Sequence, residues 1–214
     1  MMKHLLVLLV TLLVAAGCSR ADREAGPAAP ASLDPATASP AVAPPREGLE
    51  VAILAGGCFW GMEEILRGIP GVVDTEVGYA GGTTASPRYD DVKKGNTGHA
   101  ESVRVIFDPK KLSFEDLLAK WFFRMHDPTT ENRQGNDRGS QYRSAIFATS
   151  AEQRRIAEAV IAKVQASGQW ADPIVTEVSD AGAFTPAEDD HQDYLQKNPG
   201  GYTCHYLRDF DESI

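Results

Sequence analysis

The sequence predicts a single α+β domain, a two-layer sandwich in which helices pack against a largely antiparallel sheet. Two observations carry this. Residues 72–79 and 100–107 alternate apolar with polar side chains, as half-buried strands do, and a loop rich in Gly, Thr, Asn and Pro separates them. Around them lie segments whose apolar residues recur at helical spacing, so helices and strands come in mixed order.

The elements follow in chain order. Residues 51–54 are a short apolar run ending in Ala55, Gly56 and Gly57, the pattern of a buried strand that opens into a tight turn. Met62, Ile65 and Leu66 recur at helical spacing, so a first helix starts close to Cys58 and ends near Gly68, with Pro70 beyond it. The two alternating strands come next, and the long loop between them is a place where function is expected. Ser113 with Asp116 opens a helix carrying Leu117, Leu118, Trp121 and Phe122. Ser150 with Gln153 makes a capping box for another, through Ile156, Val160 and Val164. Residues 143–148 and 174–178 supply further strands. Thr185, with Pro186 and Glu188 after it, is expected to cap a short helix ending before Pro199. No internal repeat is visible.

Ahead of this domain, residues 1–17 carry Lys3 and His4, then an apolar run too short to span a bilayer, then a small residue before Cys18. That is the pattern of a secretory signal segment. Ala15, Ala16 and Gly17 before Cys18 resemble a bacterial lipoprotein processing site, which implies an acylated Cys18 and anchoring to a membrane. Ala15 stands where Leu is usual. Ser19 after the cysteine leans toward an outer membrane, facing the periplasm, in a double-membraned host; secretion as a soluble periplasmic protein is the alternative. Residues 18–48 shift to Ala and Pro with scattered charges and read as a disordered tether, leaving residues 49–214 as the folded domain. The net charge of −9, one unit more negative once Lys3 is lost, argues against nucleic acid as a partner. A monomer is the default, since no extra apolar segment stands out.

With Cys18 assigned to the anchor, Cys58 and Cys204 remain. In an oxidising compartment two cysteines commonly make one structural disulfide. Cys58, however, sits at a helix N-terminus, whose partial positive charge favours thiolate, and glycines flank Cys58-Phe59-Trp60 on both sides, as in an accessible turn. The histidines lack zinc-finger or helical metal spacing, so no metal is expected. His126 reads as ordinary helix-end polarity, favourable when protonated.

Gly57-Cys58-Phe59-Trp60-Gly61 resembles the signature of the A-type peptide methionine sulfoxide reductases. So, in order and spacing, do Gly78-Tyr79-Ala80-Gly81-Gly82, Gly98-His99-Ala100-Glu101, the run from Gln134 to Ser144, and His191-Gln192-Asp193-Tyr194-Leu195. Together they span about residues 49 to 206. The resemblance implies a ferredoxin-like core and reduction of the S epimer of methionine sulfoxide, free or in proteins, with no cofactor and with a thioredoxin-like thiol donor. It implies Cys58 as nucleophile, and Cys204, on a glycine-rich C-terminal stretch, as the thiol that converts a Cys58 sulfenic acid to a Cys58–Cys204 disulfide. Attack on a sulfoxide sulfur requires its oxygen to receive a proton, and Glu101, kept neutral by burial, is the candidate acid. Tyr89 and Tyr142 match hydroxyls that reach the same oxygen, Phe59 and Trp60 match the walls around the S-methyl group, and Asp137 matches a position near the substrate backbone.

Two other readings of the residues stay open. A cysteine hydrolase or acyltransferase would pair Cys58 with His99 or His191, with Asp137 orienting the ring. A non-catalytic lipoprotein would use both cysteines as a permanent staple.

Overall fold

The computed structural model describes residues 47–210. The expected signal segment, Cys18 and all but the last two residues of the expected tether lie outside the described residues. Strand β1 is Glu50–Gly56, α1 is Phe59–Arg67, β2 is Val72–Ala80 and α2 is the short Tyr89–Val92. Strand β3 is Ala100–Phe107, and the next helical run consists of α3 (Phe114–Asp116), a π-helical stretch Leu117–Phe122, and α4 (Phe123–Met125). The two-residue strands β4 (Arg133–Gln134) and β5 (Asp137–Arg138) pair with each other in a small hairpin. A 3₁₀ turn at Ser140–Tyr142 leads into β6, Ser144–Ala148, and α5 is Ala151–Ala166. Strands β7 (Glu177–Asp180) and β8 (Thr185–Pro186) and a one-turn helix α6 (Tyr194–Lys197) follow within the described residues.

Six strands form one mixed sheet in the order β7-β6-β1-β3-β2-β8, antiparallel throughout except for the parallel pair β6–β7. Alternation sorts β1 onto both faces. Ala52 and Leu54 join Val103, Val105, Phe107 and Ile146 under Met62 and Leu66 of α1, Leu118 and Phe122 of the π stretch, and Val160 and Val164 of α5. The opposite face is smaller: Val51, Ile53, Ala55, Ala145 and Phe147 pack with Ala181 and Phe184. Each large side chain buried this way contributes roughly 1.5–3 kcal/mol, and among the described residues the larger cluster lies under the helices while the smaller is met by the coil residues Ala181 and Phe184.

Both serine caps form as the sequence predicts. Ser113 Oγ accepts from Asp116 N at 3.0 Å, and Ser150 Oγ accepts from Gln153 N at 3.1 Å. The return half of the second box goes to Thr149, whose N–H donates to Gln153 Oε1 at 3.1 Å. Three expectations need correction. Thr185 and Pro186 form no helix start; they pair with Tyr79 and Gly78 as edge strand β8, because proline, lacking an N–H, is acceptable on an edge and glycine at 78 leaves room for Phe184. The short helix begins instead at Tyr194, after Asp193 in the left-handed region at φ 54°. The last long strand lies at Glu177–Asp180, shifted from residues 174–178, where it runs parallel to β6.

The third correction concerns His126. It is fully buried, with Nδ1 at 2.7 Å from Phe122 O and Nε2 at 2.7 Å from Ser144 Oγ. Burial pushes its pKa down to about 3, so it stays neutral rather than serving as a charged helix end.

Candidate active site

Site residues gather where three chain reversals meet. The β1–α1 turn delivers Cys58, which is the N-cap of α1 and 6% exposed. Gly57 adopts φ 115°, and a Cβ there would overlap Gln134. Strand β3 starts beside this turn and places Glu101 opposite Tyr79 of β2. Phe59 N–H donates to Glu101 Oε2 at 3.2 Å, so the carboxyl sits directly at the start of α1.

A cleft of about 170 Å³ opens over these groups, lined by Cys58, Phe59, Trp60, Tyr89, Glu101, Asp137, Tyr142 and Tyr202. Trp60 is fixed as a wall by three contacts. It stacks on Tyr194 with ring centroids 3.8 Å apart, lies 5.7 Å from the His191 ring, and donates from Nε1 to His191 Nδ1 at 3.1 Å. The His191 ring also lies 4.4 Å from that of Tyr89. Glu188 holds the outer rim, accepting from Tyr79 Oη and from the Tyr89 N–H, each at 3.0 Å.

Cys204 arrives from the other side. The C-terminal coil lies against α1 so closely that a Cβ on Gly61 would meet Thr203 Oγ1 and His205 Nδ1. The Cys58 backbone N–H opposes part of the rise in the Cys204 thiol's pKa. Cys204 Sγ is 3.4 Å from Asp137 Oδ2 and 3.5 Å from His205 Nδ1, while Tyr202 Oη donates to Asp137 Oδ1 at 3.0 Å. Both cysteines are free thiols, so the permanent staple is not what the structure contains. The hydrolase pairing also lacks its geometry. His99 uses both ring nitrogens, Nδ1 accepting from Gly82 N–H at 3.2 Å and Nε2 lying 2.9 Å from Thr84 O, and His191 Nδ1 is taken by Trp60.

The charges of the site are set by burial. Glu101 is 2% exposed, and desolvation lifts its pKa to about 8, with the Asp137 charge adding to the rise and the Phe59 N–H opposing it. It is therefore a carboxylic acid at neutral pH. Desolvation also raises the pKa values of Tyr89 and Tyr142, keeping both phenols as donors. Cys58 departs from expectation: desolvation, then the Glu101 charge, push its thiol up, and these outweigh the N–H of Trp60 at the helix start. The resting nucleophile is a thiol. Cys204 is pushed up to about 12, by burial and by Asp137.

Of the eight residues expected at the site besides Cys18, seven line one cleft, and Cys204 adjoins it through its contact with Asp137. The sequence did not assign roles to Tyr202, Glu188 or His205. Tyr202 and His205 flank Cys204 within two positions, which is the one local signal that marks them; Glu188 carried none beyond its place in a false cap.

A buried cysteine at a helix start, facing a neutral carboxyl and backed by a second thiol, defines a thiol-dependent oxidoreductase on an α/β sandwich. Over residues 50–213 the chain matches the family model for peptide methionine sulfoxide reductase, and it belongs to that family. It is 55% identical over 159 residues to "Peptide methionine sulfoxide reductase MsrA 1" of Mesorhizobium japonicum, covering 74% of this chain and 90% of the relative. It is 57% identical over 157 residues to the MsrA of Mycolicibacterium paratuberculosis, covering 73% and 89%. Among solved structures, Mxr1 from Saccharomyces cerevisiae in reduced form superimposes with a TM-score of 0.72 at 39% identity, covering 77% of this chain and 95% of that one. Mxr1 in complex with Trx2 gives a TM-score of 0.52 at 27% identity, covering 80% and 98%. The chain is a peptide-methionine (S)-S-oxide reductase.

Proposed function

We propose that Cys58 attacks the sulfur of methionine S-sulfoxide, free or in proteins, while Glu101 protonates its oxygen. The observation that carries this is a neutral carboxyl at the base of the cleft beside Cys58. The Cys58 S–H bond breaks as the sulfoxide oxygen transfers to sulfur, its proton refilling Glu101. Methionine leaves, and Cys58 remains as the sulfenic acid. Tyr89 and Tyr142 line the same cleft and donate to the oxygen without bringing a charge, which favours the developing negative charge there. Phe59 and Trp60 wall the methyl group, and Asp137 takes the substrate's polar backbone.

Cys204 then condenses with the sulfenic acid, giving a Cys58–Cys204 disulfide and water. A thioredoxin-like dithiol returns both to thiols, in keeping with the Mxr1–Trx2 complex, and no metal or organic cofactor takes part. The protein works as a monomer repairing oxidised proteins in the cell envelope, held there by a lipidated Cys18 at the end of the tether.

The purified protein is assayed with each sulfoxide epimer and dithiothreitol. Turnover of the S epimer is expected, none with Cys58→Ser, and a single equivalent of methionine from Cys204→Ser under thioredoxin. Equal thioredoxin-driven rates for Cys204→Ser and wild type would remove Cys204 from the cycle. Labelled fatty acid should enter the wild-type chain in bacteria and be lost in Cys18→Ala; an unlabelled wild type refutes the anchor.

A further inference from the structure

Among the described residues, His205 is a buried imidazole in contact with a reacting sulfur that the steps above leave unused. Its Nε2 lies 2.9 Å from the carbonyl oxygen of Gly56. A carbonyl can only accept, so Nε2 carries the hydrogen and Nδ1 presents a bare lone pair. That lone pair is 3.5 Å from Cys204 Sγ. The ring is held in this pose from several sides. The His205 backbone N–H donates to Thr203 Oγ1 at 3.1 Å, and the glycines at 57 and 61 leave the space the ring occupies, since a Cβ on either would press on it.

We infer that His205 is a catalytic residue of the resolving step, its Nδ1 accepting the Cys204 proton as Cys204 attacks the Cys58 sulfenic acid. This rests on the resolving role of Cys204 proposed above. In the step, the Cys204 S–H bond breaks and its proton goes to Nδ1. The new Sγ–Sγ bond forms as the Cys58 S–O bond breaks, Cys204 being oxidised and Cys58 reduced by the same electron pair. Glu101 protonates the departing oxygen to water and is refilled from the imidazolium through solvent, so disulfide and one water are the net products.

Asp137 Oδ2 is the competing acceptor, at 3.4 Å from the same sulfur. Its role differs in sign. A fixed negative charge beside Cys204 opposes thiolate but favours a cation on the neighbouring imidazole, so the proton is drawn to His205 while Asp137, tied to Tyr202, steadies the pair. Burial keeps the resting ring neutral, so its Nδ1 lone pair is unprotonated at rest, and the Asp137 charge opposes the fall in basicity that burial imposes. The Cys58 backbone N–H counters part of the rise in the Cys204 thiol's pKa and so favours the negative charge that develops on that sulfur.

The test uses reduced protein freed of reductant and mixed with one equivalent of the S-sulfoxide. Methionine release and disulfide formation are followed in the same quenched samples, and the rate of disulfide formation relative to that of methionine release is read as their ratio. His205→Gln retains an amide N–H able to reach Gly56 O but has no basic nitrogen. Its ratio should fall roughly a hundredfold, the scale of general base catalysis. His205→Gly should be equally slow and recover when imidazole is added, which a purely structural role would not allow. An unchanged ratio in His205→Gln, or slowing in Asp137→Asn without slowing in His205→Gln, overturns the inference. Failure of the underlying reading looks different: Cys204→Ser would then cycle with thioredoxin as fast as wild type.

Discussion

Glu101 offers the sharpest quantitative test. Its pKa of about 8 makes the acid form about nine-tenths populated near pH 7 and about one-tenth near pH 9, so a step that needs its proton slows about tenfold between them. No rising limb hides this fall, because the Cys58 thiol is pushed well above that window and gains no thiolate across it. The assay is a single turnover: excess reduced protein, S-sulfoxide as limiting substrate, methionine counted over time from about pH 6 to about pH 9. The rate should be flat below about pH 7 and then drop toward a slope of −1, and Glu101→Gln should lose most of the rate together with the pH dependence. A profile flat to about pH 9, or full activity in Glu101→Gln, refutes the acid role. Stability supplies a second check. A folded pKa raised from 4.5 to about 8 means the native state holds a proton the unfolded chain has lost, so stability falls as pH rises through that interval, by roughly 5 kcal/mol at most. Glu101→Gln should flatten that slope in denaturant titrations.

Three further outcomes follow from the geometry. Gly61→Ala gains about 1 kcal/mol of helix propensity but drives a Cβ into Thr203 and His205, so the disulfide step should slow and stability should not rise; a stabilised variant with normal disulfide formation would contradict the contact. Leu54→Ala empties a fully buried site between sheet and helices and should cost about 2–5 kcal/mol by urea denaturation, with less than about 1 kcal/mol arguing against the packing. His126, whose folded pKa near 3 lies below its ordinary 6.5, makes the native state bind fewer protons than the unfolded one, so stability should be lost as pH falls from about 6.5 toward 3. His126→Gln should show a shallower acid limb, and an identical limb would place the acid sensitivity elsewhere.

What the sequence made legible was mostly local. The apolar run into Gly56 and Gly57, the alternation of β2 and β3, and the two serine caps are short-range signals, and the chain obeys them. Thr185-Pro186 carried an equally good helix-start signal and failed, since pairing with β2 was available to an edge strand and no nearby residue encodes that partner. His126 was misread for the same reason: its environment is made by Ser144 and Phe122, one of them 18 residues away. The identities at the site came through the family motifs rather than through periodicity. Their electrostatics did not, because the rise at Cys58 depends on burial and on Glu101, 43 positions along the chain, whereas the helix start visible in the sequence argued for a lowered value.

The unequal exposure of the two sulfurs sets the direction of the return path. Cys58 is buried at the cleft, whereas Cys204, beside Asp137, is partly exposed. In the proposed cycle, once the two are joined, the sulfur within reach of an incoming thiol is that of Cys204, so the donor's mixed disulfide should form there and Cys58 should be the leaving group. On that proposal Cys58 would depart beside the Glu101 carboxyl, so the product of regeneration would be the same thiol and acid pair that receives the next sulfoxide.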